Sequence, residues 1–247
     1  MLQATYDLQV IFDLQVSPGT LDWPAIRDLA HAAEAAGFGA FHVFDHLAGQ
    51  PIGGESTIEC FTLLGALAEA TTTIELGTMV VNTWNRQVGT LVTAAASVAQ
   101  LSGRPLWLGI GAGAAPGTHW AAEQHAVGHQ VEADLGRRHQ RVQQVLDLAA
   151  ATWRPDRIGD LATFPLPSPT PHVIVGVNSV ALSRLAGRSA DGINVQWGNP
   201  RRDEFLAAAD AAAGGRAFLR TAYATYDVAL FDAAHPTRRE MADRGIE

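Results

Sequence analysis

Short apolar runs alternate with longer amphipathic stretches along the 247-residue chain. The runs "LQVIF" from Leu8, "AFHVF" from Ala40, "IELGTMVV" from Ile74 and "LWLGIG" from Leu106 have the length and the β-branched or aromatic content of buried strands. Their starts lie 32, 34 and 32 residues apart, which suits a strand-helix unit of roughly 30 residues feeding a parallel sheet. "HVIVGV" from His172, "GINVQW" from Gly192 and "RTAYATYDVAL" from Arg220 raise the predicted strands to seven.

The intervening stretches carry helix punctuation. Asp22 is placed to cap a helix with Pro24 in its first turn, Ile26, Leu29, Ala30 and Ala33 on one face, and Gly37 past its end. Leu91 to Leu101 runs into Gly103, and Leu135 to Trp153 carries Val142, Val145, Leu146 and Ala149 at helical spacing. The proline-rich "FPLPSPTPH", 164 to 172, reads as a surface connection. "HPTRREMADRGIE" predicts a helix and a glycine turn of the kind that leads into another strand, and the sequence stops there, as a C-terminally shortened chain would. The expected fold is therefore α/β, a TIM-type (β/α) barrel lacking its last strand at the C-terminus, with residues 1–247 as one domain.

Composition narrows the chemistry. With 47% hydrophobic residues the chain can close one sizeable core. The formal charge of −8 and the lack of a dense Arg cluster argue against a nucleic-acid partner. Lysine does not occur, which excludes Schiff-base chemistry. The single cysteine, Cys60, excludes an intrachain disulfide or a thiolate zinc cluster. "MLQATYDLQV" does not have the form of a signal peptide, and no run of about 18 apolar residues suggests a membrane span, so a cytoplasmic protein is expected.

In a parallel barrel the ligand meets the C-terminal strand ends, so the residues just after each run are the candidates. These are Asp45 and His46 after the second, Met79, Val80 and Asn82 at the third, and "GAGAAPG", 111 to 117, after the fourth. Asn178 and Ser179 follow the fifth, and Gln196 and Trp197 close the sixth. The glycine loop fails the GxGxxG dinucleotide pattern, since Ala114 follows Gly113 and Gly117 comes too late. His119, His125 and His129 cluster locally, the last two able to share a helix face, yet Glu123 completes neither HExxH nor HxxEH, and no metal is expected.

Taken in order, "AEAAGFGAFHVFDHL", "ECFTLLGALAEATTTIELGTMVVNTWNRQVGTLVTAAASVAQLSGRPLWLGIGAG", "HWAAEQHAVG", "GRRHQRVQQVLDLAAATW" and "HVIVGVNSVALSRLAGRSADGINVQW" resemble the bacterial luciferase-like monooxygenase superfamily. The resemblance implies an oxidoreductase or monooxygenase using FMN or the deazaflavin coenzyme F420 on a small organic substrate. Asp45 and His46 match the family's catalytic pair beside the cofactor ring. Met79 and Val80 match a bulge, often with a cis peptide, that backs the ring, and Asn82 a polar position at its edge. Gly111, Ala112 and Gly113 match the loop lining the cofactor site. Asn178 and Ser179 stand where a helix N-terminus receives the cofactor phosphate, although Ser179 reads equally as a plain helix cap.

Members acting on sugar phosphates carry a catalytic Glu where this chain has Ala114, which argues against that activity. Phe44, Trp84, Trp120 and Trp197 are candidates for the pocket wall. A separate flavin or deazaflavin reductase and a homo-oligomer are the expected partners. The alternatives are a non-catalytic flavin-binding or structural relative and, behind it, a metal-dependent hydrolase.

Overall fold

A computed structural model describes residues 10–246, in which strands and helices alternate. β1 (Leu14–Val16), α1 (Trp23–Ala36), β2 (Ala40–Val43), α2 (Cys60–Ala70), β3 (Glu75–Asn82), α3 (Val88–Ser102) and β4 (Leu106–Gly111) form the first half. After the short α4 (Ala122–Ala126) come α5 (Leu135–Thr152), β5 (His172–Val177), α6 (Val180–Ser189), β6 (Gly192–Gln196), α7 (Arg202–Ala213), β7 (Leu219–Tyr223) and α8 (Pro236–Asp243). All strand pairs are parallel, in the order β1 to β7. The sheet curls far enough for Gln15 and Tyr223, from its two edge strands, to line one cavity. This is a TIM-type barrel without a closing strand between β7 and β1 among the described residues.

The first strand lies later than the apolar run at Leu8 predicts. "LQV" occurs twice, at 8–10 and 14–16. Residues 8 and 9 lie outside the described residues, 10–12 are not in a strand, and the second copy pairs with β2 as Leu14↔Phe41 and Val16↔Val43. Asp13 sets the start of pairing, because its carboxylate accepts the Ala40 N–H at 2.8 Å and faces His42 Nε2 at 3.1 Å.

Helix boundaries follow local chemistry. The Asp22 carboxylate accepts the Ala25 N–H, Pro24 sits in the first turn, and Gly37 ends α1 at φ 81°. On α5 the apolar positions Val142, Val145, Leu146 and Ala149 are all buried. Outward-facing strand residues such as Leu106, Leu108 and Ile110 join the helix faces in one core. α6 and α7 pack so closely that a Cβ on Gly187 would lie 2.2 Å from the Ala209 carbonyl.

Glu34 pins the start of β3, accepting N–H bonds from Thr72, Thr73 and Ile74. Burial alone would raise its carboxyl, but these donors outweigh it and hold the pKa at about 2, against 4.5 when unfolded. The bound proton is therefore more favourable in the unfolded chain, and Glu34 stabilises the fold above pH 4.5, an effect lost as pH falls toward 2. Urea unfolding across that window is expected to show a weaker acid dependence in Glu34→Gln than in the parent. Equal slopes would show that Glu34 does not carry it.

Candidate functional site

β3 and β4 pair through Thr78↔Leu108 and resume at Val81↔Ile110, so β3 carries one extra residue. Met79 and Val80 stand at this bulge, joined by a cis peptide bond. The Gln15 side-chain amide donates to the Met79 carbonyl across the barrel interior. Val80 turns inward and fills space left by two glycines. A Cβ at Gly111 would lie 2.8 Å from one Val80 methyl, and one at Gly176 would lie 2.9 Å from the other. Bulge and glycines thus form one shaped floor.

Above it is a cavity of about 480 Å³, within the range of small-molecule sites. Met79, Val80, Asn82, Gly111, Ala112 and Gly113 all line it, as does Asn178. Gly113 has φ 81°, and a Cβ there would meet Asn82 Oδ1 at 2.7 Å, so the loop runs close against β3. Ser179 is not among the lining residues. Its hydroxyl accepts the Leu182 N–H at 3.3 Å and caps α6. Phe44, Ala114, Trp120, Gln196 and Tyr223 are among its further lining residues. Trp197 is instead buried in the core beneath Arg202, 4.4 Å from ring centre to guanidinium carbon, and Trp84 packs behind the Gly113 loop.

Asp45 and His46 are adjacent in sequence but differently engaged. Asp45 is fully buried and binds Arg86 through both carboxylate oxygens, at 2.9 and 2.7 Å. It also accepts the Asn82 N–H at 3.0 Å and the Asn85 side-chain amide at 3.3 Å. Arg86 bonds Glu59 as well, and these contacts outweigh burial to raise the Arg86 pKa, so the guanidinium stays charged. With three donors on one oxygen and one on the other, Asp45 ties β2 to β3. Asp45 also lines the cavity, so both members of the expected pair reach it, one of them held by Arg86.

His46 lies against the cavity with Trp120 beside it, ring centres 5.5 Å apart. Its Nδ1 is 2.9 Å from Glu123 Oε1. Glu123 also accepts the N–H groups of Leu47 and Ala48 at 2.8 and 3.0 Å. Burial opposes the charge on Glu123, but the His46 bond and the two backbone donors hold its pKa below the usual carboxylate value. Beyond its failed metal spacing Glu123 carries no local signal of this role, because 77 positions separate it from His46. Arg138, also unforeseen, lines the cavity and donates to the Gly113 carbonyl at 3.1 Å. The histidine cluster disperses: α4 ends at Ala126, short of His129, and His119 Nε2 contacts the Pro51 carbonyl.

A floor at the strand ends, a mainly apolar cavity and a histidine at its side make one candidate ligand site. The sequence profile of the luciferase-like monooxygenase family matches residues 8–243, and the chain belongs to that family. An F420-dependent glucose-6-phosphate dehydrogenase of Mycobacterium avium is 29% identical over 178 residues, 67% of this chain and 51% of the relative. A protein of the same description from Segniliparus rotundus is 26% identical over 65% of this chain and 49% of its own length. The chain thus spans about half the length of the curated relatives it matches. The solved coenzyme F420-dependent tetrahydromethanopterin reductase of Methanopyrus kandleri aligns over 97% of this chain and 76% of its own, with TM-score 0.66 and 17% identity. Monooxygenase RslO1 of Streptomyces bottropensis aligns over 95% and 77%, with TM-score 0.67 and 20% identity. At those identities the structures establish the fold. No helix among the described residues is long and apolar enough to cross a membrane.

Proposed function

We propose that this chain is a flavin- or deazaflavin-dependent oxidoreductase acting on a small organic molecule, with residues 1–247 working as one barrel domain. The observation that carries the reading is the Val80 floor set between Gly111 and Gly176, facing an apolar cavity with His46 at its side. The residues present suit a flat tricyclic ring. Met79 and Val80 would support one face, Asn82 and the Gly111–Gly113 loop its edge, and Asn178 at the start of α6 would meet the phosphate-bearing tail. When bound, the cofactor supplies hydride transfer, or oxygen chemistry in the FMN case.

His46 would be the residue that holds or moves a proton at the reacting centre, with Phe44 and Trp120 keeping water away. Asp45 serves the scaffold. The curated relatives favour the deazaflavin, yet Ala114 puts a methyl group at the cavity wall where the family resemblance implies an acid in sugar-phosphate enzymes, so a sugar phosphate is not proposed as substrate. The proposal extends to a cytoplasmic homo-oligomer supplied with reduced cofactor by a separate reductase.

Titration of the purified protein with FMN and with coenzyme F420, each oxidised and reduced, tests the reading through cofactor fluorescence or absorbance. Saturable binding of one of them is expected. Failure of both, in both redox states, would overturn it.

A further inference from the structure

We infer that Glu123 is a positioning residue that locks the neutral His46 ring in its Nδ1–H tautomer, leaving Nε2 as a bare hydrogen-bond acceptor toward the cavity. The inference deepens the proposed function, but its geometry stands without any cofactor.

The Glu123 carboxylate has hydrogen-bond partners on both oxygens. Oε2 receives two backbone N–H groups, from Leu47 at 2.8 Å and Ala48 at 3.0 Å, so that oxygen has no room for a proton of its own. Oε1 lies 2.9 Å from His46 Nδ1. One of these two atoms must supply the hydrogen. The donors around Glu123 favour its ionised form, so the hydrogen sits on Nδ1, and whenever the ring carries a single proton its other nitrogen carries the lone pair.

Glu123 and Leu47–Ala48 also fix the ring's position, because a single carboxylate grips the side chain of His46 and the two backbone amides that follow it. Nε2 has no partner among the described residues. The other ionised groups lining the cavity are Asp45, which Arg86 neutralises, and Arg138, which is turned to the Gly113 carbonyl. Neither bonds the imidazole. A ligand meeting neutral His46 must therefore bring its own hydrogen-bond donor, a hydroxyl or an N–H, rather than a bare carbonyl.

The tautomer can be read directly. In ¹⁵N-labelled protein without cofactor, the two nitrogens of a neutral imidazole give well-separated pyrrole-type and pyridine-type signals, and loss of a set in His46→Gln assigns His46 among the nine histidines. Recorded at alkaline pH, where the ring carries one proton, the parent is expected to show pyrrole-type Nδ1 and pyridine-type Nε2. In Glu123→Gln the single amide oxygen is taken by Leu47 and Ala48, the amide NH₂ faces Nδ1, and the pattern is expected to invert. The same carboxylate-to-amide change imposes the wrong tautomer in serine-protease triads. Glu123→Asp, which keeps the charge, is expected to retain the parent pattern.

A parent ring protonated at Nε2 would overturn the inference, and so would a folded Glu123→Gln variant with an unchanged pattern. Should that variant fail to fold, the parent measurement alone still decides. These signals are recorded on the cofactor-free protein, so their outcome is separate from that of the binding titration.

Discussion

Replacing Arg86 with leucine is expected to cost about 3–5 kcal/mol of folding stability, the penalty for leaving a buried charge without its partner. Asp45 has a fully buried side chain, and Arg86 meets both of its oxygens. The remaining contacts, from Asn82 and Asn85, are neutral donors that cannot replace the cation. Arg86 also lies over the Phe61 ring at 5.0 Å, so part of the loss is packing. Urea unfolding of Arg86→Leu measures the total. Adding Asp45→Asn to that variant removes the stranded charge and is expected to recover a substantial part, the non-additivity that marks a coupled pair. A single-variant loss below about 1 kcal/mol, the scale of an exposed pair, would show that burial does not amplify this interaction.

Gly176→Val is expected to weaken cofactor binding about tenfold or more. The new Cβ would meet Val80 at 2.9 Å, before its own methyl groups are placed. Because the floor is built by Val80, relief must come from Val80 moving into the cavity, and overpacking of this kind costs roughly 1–3 kcal/mol. Circular dichroism should confirm a retained fold, and the titration should give the affinity. Gly65→Ala is the control. It lies within α2, a Cβ there meets nothing within 4 Å, and its binding should match the parent. Unweakened binding by Gly176→Val would remove Val80 from the cofactor floor.

The parts of the architecture that repeat could be read from sequence because each is decided locally. Asp22, Pro24 and Gly37 announce α1 at both ends, and the spacing of Val142, Val145, Leu146 and Ala149 marks the buried face of α5. The strand-end rule likewise brought Met79, Val80, Asn82 and the Gly111–Gly113 loop to one cavity. What escaped depends on contacts between distant residues. Nothing near Leu8 tells which copy of "LQV" pairs with Phe41, since Asp13 decides that by bonding to β2. The split between Asp45 and His46 needs Arg86 on one side and Glu123 on the other, and neither is a sequence neighbour.

The glycines under Val80 also divide the pocket into a part whose side chains shape the ligand space directly and a part that changes it only by moving the floor. A side chain added at Gly111 or Gly176 meets Val80, so substitution at these inward positions of β4 and β5 displaces the floor itself. A change of ligand preference that spares the floor comes from the opposite arc, where Phe44, Trp120, Gln196 and Tyr223 line the cavity. A library aimed at a new substrate would therefore diversify those four positions and leave the glycine arc, and Gln15 on the Met79 carbonyl, untouched.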